Sequence, residues 1–286
     1  MNQTSIHAEQ IGGHLLIIGG AEDKYNERRI LRKFVSLAGE KDAKILLVPI
    51  ASDFPEFASD VYSQVFRKMG LENGSVRTLR ATSRQEILDA NVDELLDGAT
   101  GVFLSGGDQM RLASILGGTP FAEKLMQMVR NTKLVLAGSS AGAAGMSNSM
   151  IVRGDGVPAP HRKAIALSPG LGVLHNIIID QHFSERGRIS RLITAVSYNP
   201  SNLGVGIDEN TSVILDNQGI LEVFGEGTVT IVDGSKITYN DIAEVEESLP
   251  FSVTGLQIHI LREGMQYDFT NRKCVTITSE FLLPEI

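Results

Sequence analysis

The chain has 286 residues, 42% hydrophobic, 21% charged and 6% aromatic, a globular balance that excludes a disordered or fibrous protein. With 26 basic against 34 acidic residues the formal charge is −8, which argues against a broad nucleic-acid-binding surface. Cys274 is the only cysteine, so an internal disulfide and a multi-cysteine zinc site are excluded, and the six histidines show no HExxH-like pairing. No apolar run approaches the roughly 18–20 residues of a membrane helix. Met1 to Gln10 is polar and lacks the basic and apolar regions of a signal peptide. The expectation is a soluble, cytoplasmic protein with no metal, no cofactor and neither nucleic acid nor membrane as a partner.

From Gly13 to about Val205 short apolar runs alternate with longer amphipathic ones. His14–Ile18 reads as a buried strand closed by Gly19-Gly20, and Glu27–Ala38 as a helix with Ile30, Leu31, Phe34, Val35 and Ala38 on one face. Lys44–Pro49 is the next strand. Phe54, Phe57, Ala58, Val61, Tyr62, Val65, Phe66 and Met69 then recur at helical spacing. Ser75–Leu79 is a weaker strand, Arg84–Leu96 a helix, and Gly101–Leu104 a strand ending in Ser105-Gly106-Gly107-Asp108-Gln109. The following helix is interrupted at Gly117-Gly118 and restarts at Thr119-Pro120. Lys133–Ala137 is a strand turned into a helix by Gly138-Ser139-Ser140-Ala141-Gly142-Ala143. Asn176–Asp180 is one more strand, before a helix built on Ile189, Leu192, Ile193 and Val196. Such alternation predicts an α/β fold with a mainly parallel sheet flanked by helices. Beyond about Gly206, short runs (Ser212–Leu215, Gly219–Phe224, Thr228–Val232, Leu256–Leu261, Cys274–Thr278) read as antiparallel strands extending the same fold. One domain over residues 1–286, β-rich from about 206, is expected.

Gly138-Ser139-Ser140-Ala141-Gly142 is a GxSxG at a strand-to-helix turn, which forces Ser140 out of the sheet while the glycines relieve crowding. The N–H of Ala141, at the helix start, could donate to an oxyanion, and a Gly106 or Gly107 N–H one strand away could be the second donor. His182 follows the strand Asn176–Asp180, so it stands at the carboxyl edge where α/β sites form, and is the best base. Asp208, Glu209 and Asp155 are all open as the acid that orients it. Gly19-Gly20-Ala21-Glu22-Asp23-Lys24 fits neither the dinucleotide nor the P-loop spacing, and reads equally as a tight turn or part of the site. Arg186, Arg188 and Arg191 follow His182 closely; they are a solvated face or a clamp for substrate carboxylates.

These glycine-rich turns, with Ser168-Pro169-Gly170-Leu171-Gly172, Asp180-Gln181-His182-Phe183 and Gly206-Ile207-Asp208-Glu209-Asn210-Thr211, resemble the cyanophycinase family of serine peptidases, which also contains aspartyl dipeptidase. The order and combination of these segments, over about residues 13–215, carry the resemblance. It implies a class I glutamine-amidotransferase-like α/β fold with Ser140 as nucleophile, His182 as base and Glu209 as its orienting acid. It further implies Gly107 and Ala141 as oxyanion donors and a pocket of Gln109, Asp180, Gln181, Arg186, Arg188 and Arg191. The implied substrate is cyanophycin, a poly-aspartate carrying arginine on its β-carboxyls, released as β-Asp-Arg dipeptides by a homodimer. From about Phe251 onward no family motif is visible. The rival readings are a dipeptidase acting on short Asp-X peptides and a non-catalytic anion-binding module.

Overall fold

The structure, a computed structural model, describes residues 11–154, 156 and 159–275. Its parallel half alternates strand and helix: β1 (His14–Ile18), α1 (Arg29–Leu37), β2 (Ile45–Val48), α2 (Pro55–Lys68) and β3 (Val76–Thr78). Then come α3 (Arg84–Asp89), α4 (Val92–Leu96), β4 (Gly101–Leu104), α5 (Gln109–Leu116), α6 (Pro120–Asn131), β5 (Val135–Ser139) and α7 (Ala141–Ala144). The hairpin β6 (Ser149–Arg153) and β7 (Ala166–Pro169) precedes β8 (Ile177–Gln181), α8 (Ile189–Tyr198) and β9 (Leu203–Ile207). The remaining strands are β10 (Thr211–Leu215), β11 (Ile220–Gly225), β12 (Thr228–Asp233), β13 (Tyr239–Asn240), β14 (Val253–Thr254), β15 (Gln257–Arg262), β16 (Gln266–Asp268) and β17 (Lys273–Val275).

The large sheet runs β17-β16-β11-β10-β1-β5-β4-β2-β3. Its half from β1 to β3 is parallel, and its half from β10 to β17 antiparallel. This is the expected α/β architecture with a β-rich C-terminal part. One expectation changes: β8 and β9 do not join the large sheet. They pair in parallel with each other and form a second sheet, β15-β12-β9-β8. Their apolar runs have the composition of central strands, so sequence alone does not say which sheet they enter.

Alternation along the strands divides the interior. Leu16, Ile18, Ile45, Leu47, Phe103 and Val135 face α1 and α2, where Phe34, Tyr62, Phe66 and Phe103 pack ring to ring. Leu15, Ile17, Leu46, Val48, Val102 and Leu136 face the opposite way, onto helices α3 to α6 and the inner side of the second sheet. The outer side of that sheet is covered by Leu192, Ala195 and Val196 of α8. The two sheets therefore share one continuous core.

Three local expectations are corrected. The helix expected over Arg84–Leu96 is broken at Ala90, and Asn91 caps the second piece by accepting from Glu94 N–H at 3.3 Å. Phe54 and Phe57 satisfy the helical period but are 74% and 72% exposed, while Tyr62, Val65 and Phe66 fill the core. Ile189 opens α8 on its solvent side, and Leu192 and Val196 carry the burial. Residues 276–278 of the last expected strand lie outside the described residues.

Candidate active site

The turn after β5 does what its glycines permit. Ser140 holds φ 52° and ψ −110°, a left-handed backbone that a side-chain-bearing residue rarely adopts, and its N–H donates to Ile18 O at 3.0 Å. A Cβ on Gly138 would stand 2.5 Å from Gly142 O, and one on Gly142 would stand 2.3 Å from Leu104 O. Only glycine lets the chain reverse this tightly against β4.

His182 follows β8 directly, and Glu209 lies two residues beyond β9. Parallel pairing of these two strands brings both loops to one edge of the second sheet, facing the end of β5. His182 Nε2 lies 2.9 Å from Ser140 Oγ, and His182 Nδ1 lies 2.5 Å from Glu209 Oε1. Because a carboxylate oxygen only accepts, Nδ1 carries the proton shared with Glu209, which leaves the Nε2 lone pair facing the serine hydroxyl. The imidazole is 13% exposed and the Glu209 side chain 37%.

The Gly19-Gly20 turn after β1 aligns these groups. His182 N–H donates to Gly19 O at 2.8 Å, and Asn210 N–H donates to Gly20 O at 2.9 Å. Gly20 has φ +101°, and a Cβ there would lie 2.5 Å from His182 Cε1. The glycine is thus the floor on which the imidazole rests. Of the two sequence readings of this turn, the one that makes it part of the site fits the geometry.

Asp208, the neighbour of Glu209, is turned the other way. Its Oδ1 accepts from Ser184 N–H at 3.0 Å, and its Oδ2 accepts from Thr228 N–H at 2.9 Å and Thr228 Oγ1 at 2.7 Å. Asp155 lies outside the described residues. Ala141 opens α7 immediately after Ser140, where first-turn N–H groups have no intrahelical acceptor. Gly106 lies against the serine: a Cβ there would meet Ser140 Cβ at 3.3 Å. Gly107 adopts φ +144°, and a Cβ on it would meet Ala51 O at 2.0 Å.

Of the three arginines that the sequence leaves as a solvated face or a clamp, two are buried. Arg191 is 4% exposed; its Nε donates to Asp180 Oδ2 at 2.7 Å and its two terminal nitrogens donate to Asp180 Oδ1 and Gly154 O. Arg188, 7% exposed, donates to Gln181 Oε1 at 3.1 Å, to Gln181 O, and to Asp180 Oδ1 at 3.4 Å. Both guanidiniums are spent inside the protein, neutralising buried Asp180 and fixing the Gln181 amide. Gln181 Oε1 lies 3.3 Å from Ser140 Oγ, so this network ends at the serine. Arg186 alone is exposed. Gln109, the first residue of α5, donates from Nε2 to Ile151 O at 2.9 Å and ties the hairpin to the helix start.

Sequence reasoning assigned no role to Glu22. It is 3% exposed, accepts from Ser139 Oγ at 2.5 Å and from the Tyr62 hydroxyl, and pairs with Lys24 Nζ at 2.8 Å. Burial pushes its pKa up, but the Lys24 charge and the hydrogen bonds from Lys24, Ser139 and Tyr62 outweigh that and hold it below the ordinary value. Burial and the Glu22 charge in turn push the Tyr62 phenol well up. The signal was present in Gly19–Lys24, whose acid follows a strand end, but its partners lie 40 and 117 positions away.

The sequence pattern described as Peptidase family S51 matches residues 15–223 of this chain. The cyanophycinase of Nostoc sp. (strain PCC 7120 / SAG 25.82 / UTEX 2576) is 41% identical over 258 residues, 90% of this chain and 86% of that protein. The cyanophycinase of Geminocystis herdmanii (strain PCC 6308) is 39% identical over 259 residues, 91% of this chain and 93% of its own. Among solved structures, a peptidase from an acI-B1 Actinobacterium is similar with TM-score 0.66 and 22% identity, over 91% of this chain and 98% of that one. That last likeness is one of fold.

Proposed function

Since the chain belongs to peptidase family S51, we propose that it is a serine exopeptidase that hydrolyses cyanophycin to β-Asp-Arg dipeptides through an acyl-enzyme on Ser140. The observation that carries this reading is the unbroken hydrogen-bonded line from Ser140 Oγ through His182 to Glu209, with spacings of 2.9 and 2.5 Å. The substrate is that of the relatives named cyanophycinase, which match about nine-tenths of the chain.

In this mechanism Ser140 Oγ attacks a main-chain carbonyl of the poly-aspartate while His182 Nε2 takes the hydroxyl proton. Glu209 holds Nδ1–H and stabilises the imidazolium. The N–H groups of Gly107 and Ala141 take the developing oxyanion. The imidazolium returns its proton to the leaving amine, and water, activated by the same nitrogen, releases the acyl group and restores Ser140. Arg188 and Arg191 act through Asp180 and Gln181, while exposed Arg186 and half-buried Gln109 are left to meet the substrate directly.

Among the described residues no helix is long and apolar enough to cross a membrane. We further propose one hydrolytic domain acting in the cytoplasm as a homodimer, without metal or cofactor. Labelling with a serine-directed phosphonofluoridate tests the nucleophile. The adduct is expected on the peptide containing Ser140 and is expected to vanish in His182→Ala. An anion-binding module would leave Ser140 unlabelled, and that outcome ends the peptidase reading.

A further inference from the structure

Besides the site at Ser140, the carboxyl edge of the large sheet carries a cavity of about 110 Å³ between the ends of β2 and β3. Its wall includes Pro55, Glu56, Ser59, Asp60, Thr78 and Arg80. Glu56, Asp60 and Arg80 are all exposed, so charges of both signs are open to solvent. Ser59 Oγ and Thr78 Oγ1 are bonded to each other at 2.5 Å, which joins α2 to β3 and makes that part of the wall rigid. Either side of the lining residues Pro55 and Glu56 stand Phe54 and Phe57, 74% and 72% exposed. Two bare phenylalanine rings on one helical turn have no folding benefit, because the core is filled by Tyr62, Val65 and Phe66 of the same helix.

The position of this cavity relative to Ser140 follows from the sheet. Val48 pairs with Leu104, and Leu104 with Gly138, so β2 and β5 end level, two strand spacings apart. At about 4.8 Å per strand the cavity lies about 10–14 Å from the serine along the edge. Two turn residues after β4 lie between them. Gly106 lies against Ser140, and Gly107 closes on Ala51, three residues before Phe54. An extended main chain advances about 3.3–3.6 Å per residue, so the cavity meets a substrate roughly three to four residues from the bond being cleaved.

Each repeat of the proposed substrate presents one guanidinium and one free α-carboxylate. The cavity offers the complement of both: Glu56 and Asp60 for the cation and Arg80 for the carboxylate, while the exposed rings of Phe54 and Phe57, neighbours in sequence of the lining residues Pro55 and Glu56, are open to a planar guanidinium. We propose that this cavity is a remote subsite that holds the arginyl side chain of a polymer repeat three to four residues from the scissile bond. It makes the enzyme favour long chains over short ones. The inference rests on the cyanophycin reading and extends it.

The test compares synthetic β-Asp-Arg oligomers of two and eight repeats, by kcat/KM, in the wild type and in Glu56→Gln/Asp60→Asn, Arg80→Gln and Phe54→Ala/Phe57→Ala. Every changed residue is exposed and outside the Ser140 machinery, and melting temperatures check folding. The expected result is a loss of about 5- to 20-fold on the eight-repeat oligomer through KM, with the two-repeat oligomer unchanged, as fits one charge-assisted or cation–π contact. Equal losses on both lengths, or none on either, in folded variants overturn the subsite while leaving the peptidase reading intact. Wild-type inactivity on both lengths removes the cyanophycin reading itself. If the phenylalanine variant lowers the oligomeric state in solution without changing the length preference, those rings are covered by a second copy and the subsite is wrong.

Discussion

Asp208 and Glu209 are adjacent carboxylates whose surroundings separate their duties. Asp208 is nearly buried and saturated by Ser184 and Thr228, so it holds the β9 loop, while Glu209 reaches the imidazole. Glu209→Gln is expected to lower kcat roughly 10³- to 10⁴-fold at an unchanged melting temperature, as loss of the orienting acid does in other triads. Asp208→Asn is expected to destabilise by about 1–3 kcal/mol through its broken hydrogen bonds, with a smaller loss in kcat. Comparing kcat and melting temperature in the two variants decides the matter, and the reverse pattern would reassign the acid.

Glu22 leads to a pH dependence with a definite sign. Its carboxyl is held below the ordinary 4.5, so its contribution to stability is complete above that pH and is lost as pH falls through the folded-state value. The stability difference between wild type and Glu22→Gln, measured by denaturant unfolding, is therefore expected to be constant from pH 7 to about 5 and to shrink below 4.5. A difference that stays constant down to pH 3 would mean that Glu22 is not held as an anion. The arginines differ in the same measurable way. Arg191→Ala removes the closer of the two guanidiniums that neutralise buried Asp180, leaving only Arg188 at 3.4 Å, and is expected to cost about 3 kcal/mol, whereas Arg186→Ala, at the surface, costs close to nothing.

At the level of elements, the site is assembled from strand ends of two sheets. β5 leads into Ser140, β8 into His182 and β9 into Glu209, and the β1 turn joins the last two loops through Gly19 O and Gly20 O. Gly20→Ala isolates that junction, since its Cβ would strike the His182 ring. The expected outcome is a kcat loss of about tenfold or more from a displaced imidazole. Gly70→Ala is the control: its φ of +100° matches that of Gly20, but nothing lies within 4 Å of the added carbon. It should share the backbone penalty in melting temperature and spare kcat. Equal kcat in both variants would show that the floor under His182 does not matter.

Across the whole molecule, what could be read from sequence was what neighbours along the chain decide. The GxSxG turn is local, so the Ser140 elbow is legible in the sequence, and His182 is marked by the strand before it. The strand end at Gly206-Ile207-Asp208-Glu209-Asn210 marks Asp208 and Glu209 alike, and only the family resemblance singles out Glu209. Glu22 was not visible as a partner of Ser139, because β1, β5 and α2 meet only in the folded sheet. The same holds for Arg188 and Arg191: their spacing is consistent with a clamp, and only the fold shows Asp180 between them. The apolar period of α2 also failed at its first turn, where Phe54 and Phe57 are exposed rather than packed in the core.

The most direct measurement is to incubate the purified protein with insoluble cyanophycin granules and to weigh the soluble products by mass spectrometry, beside Ser140→Ala as a folded control. The expected result is release of β-Asp-Arg dipeptide by the wild type from the first time points, with Ser140→Ala slower by roughly 10⁴-fold or more. Granules left intact by the wild type, or dipeptide released at more than about a tenth of the wild-type rate by Ser140→Ala, would contradict a cyanophycin-degrading serine peptidase built on Ser140.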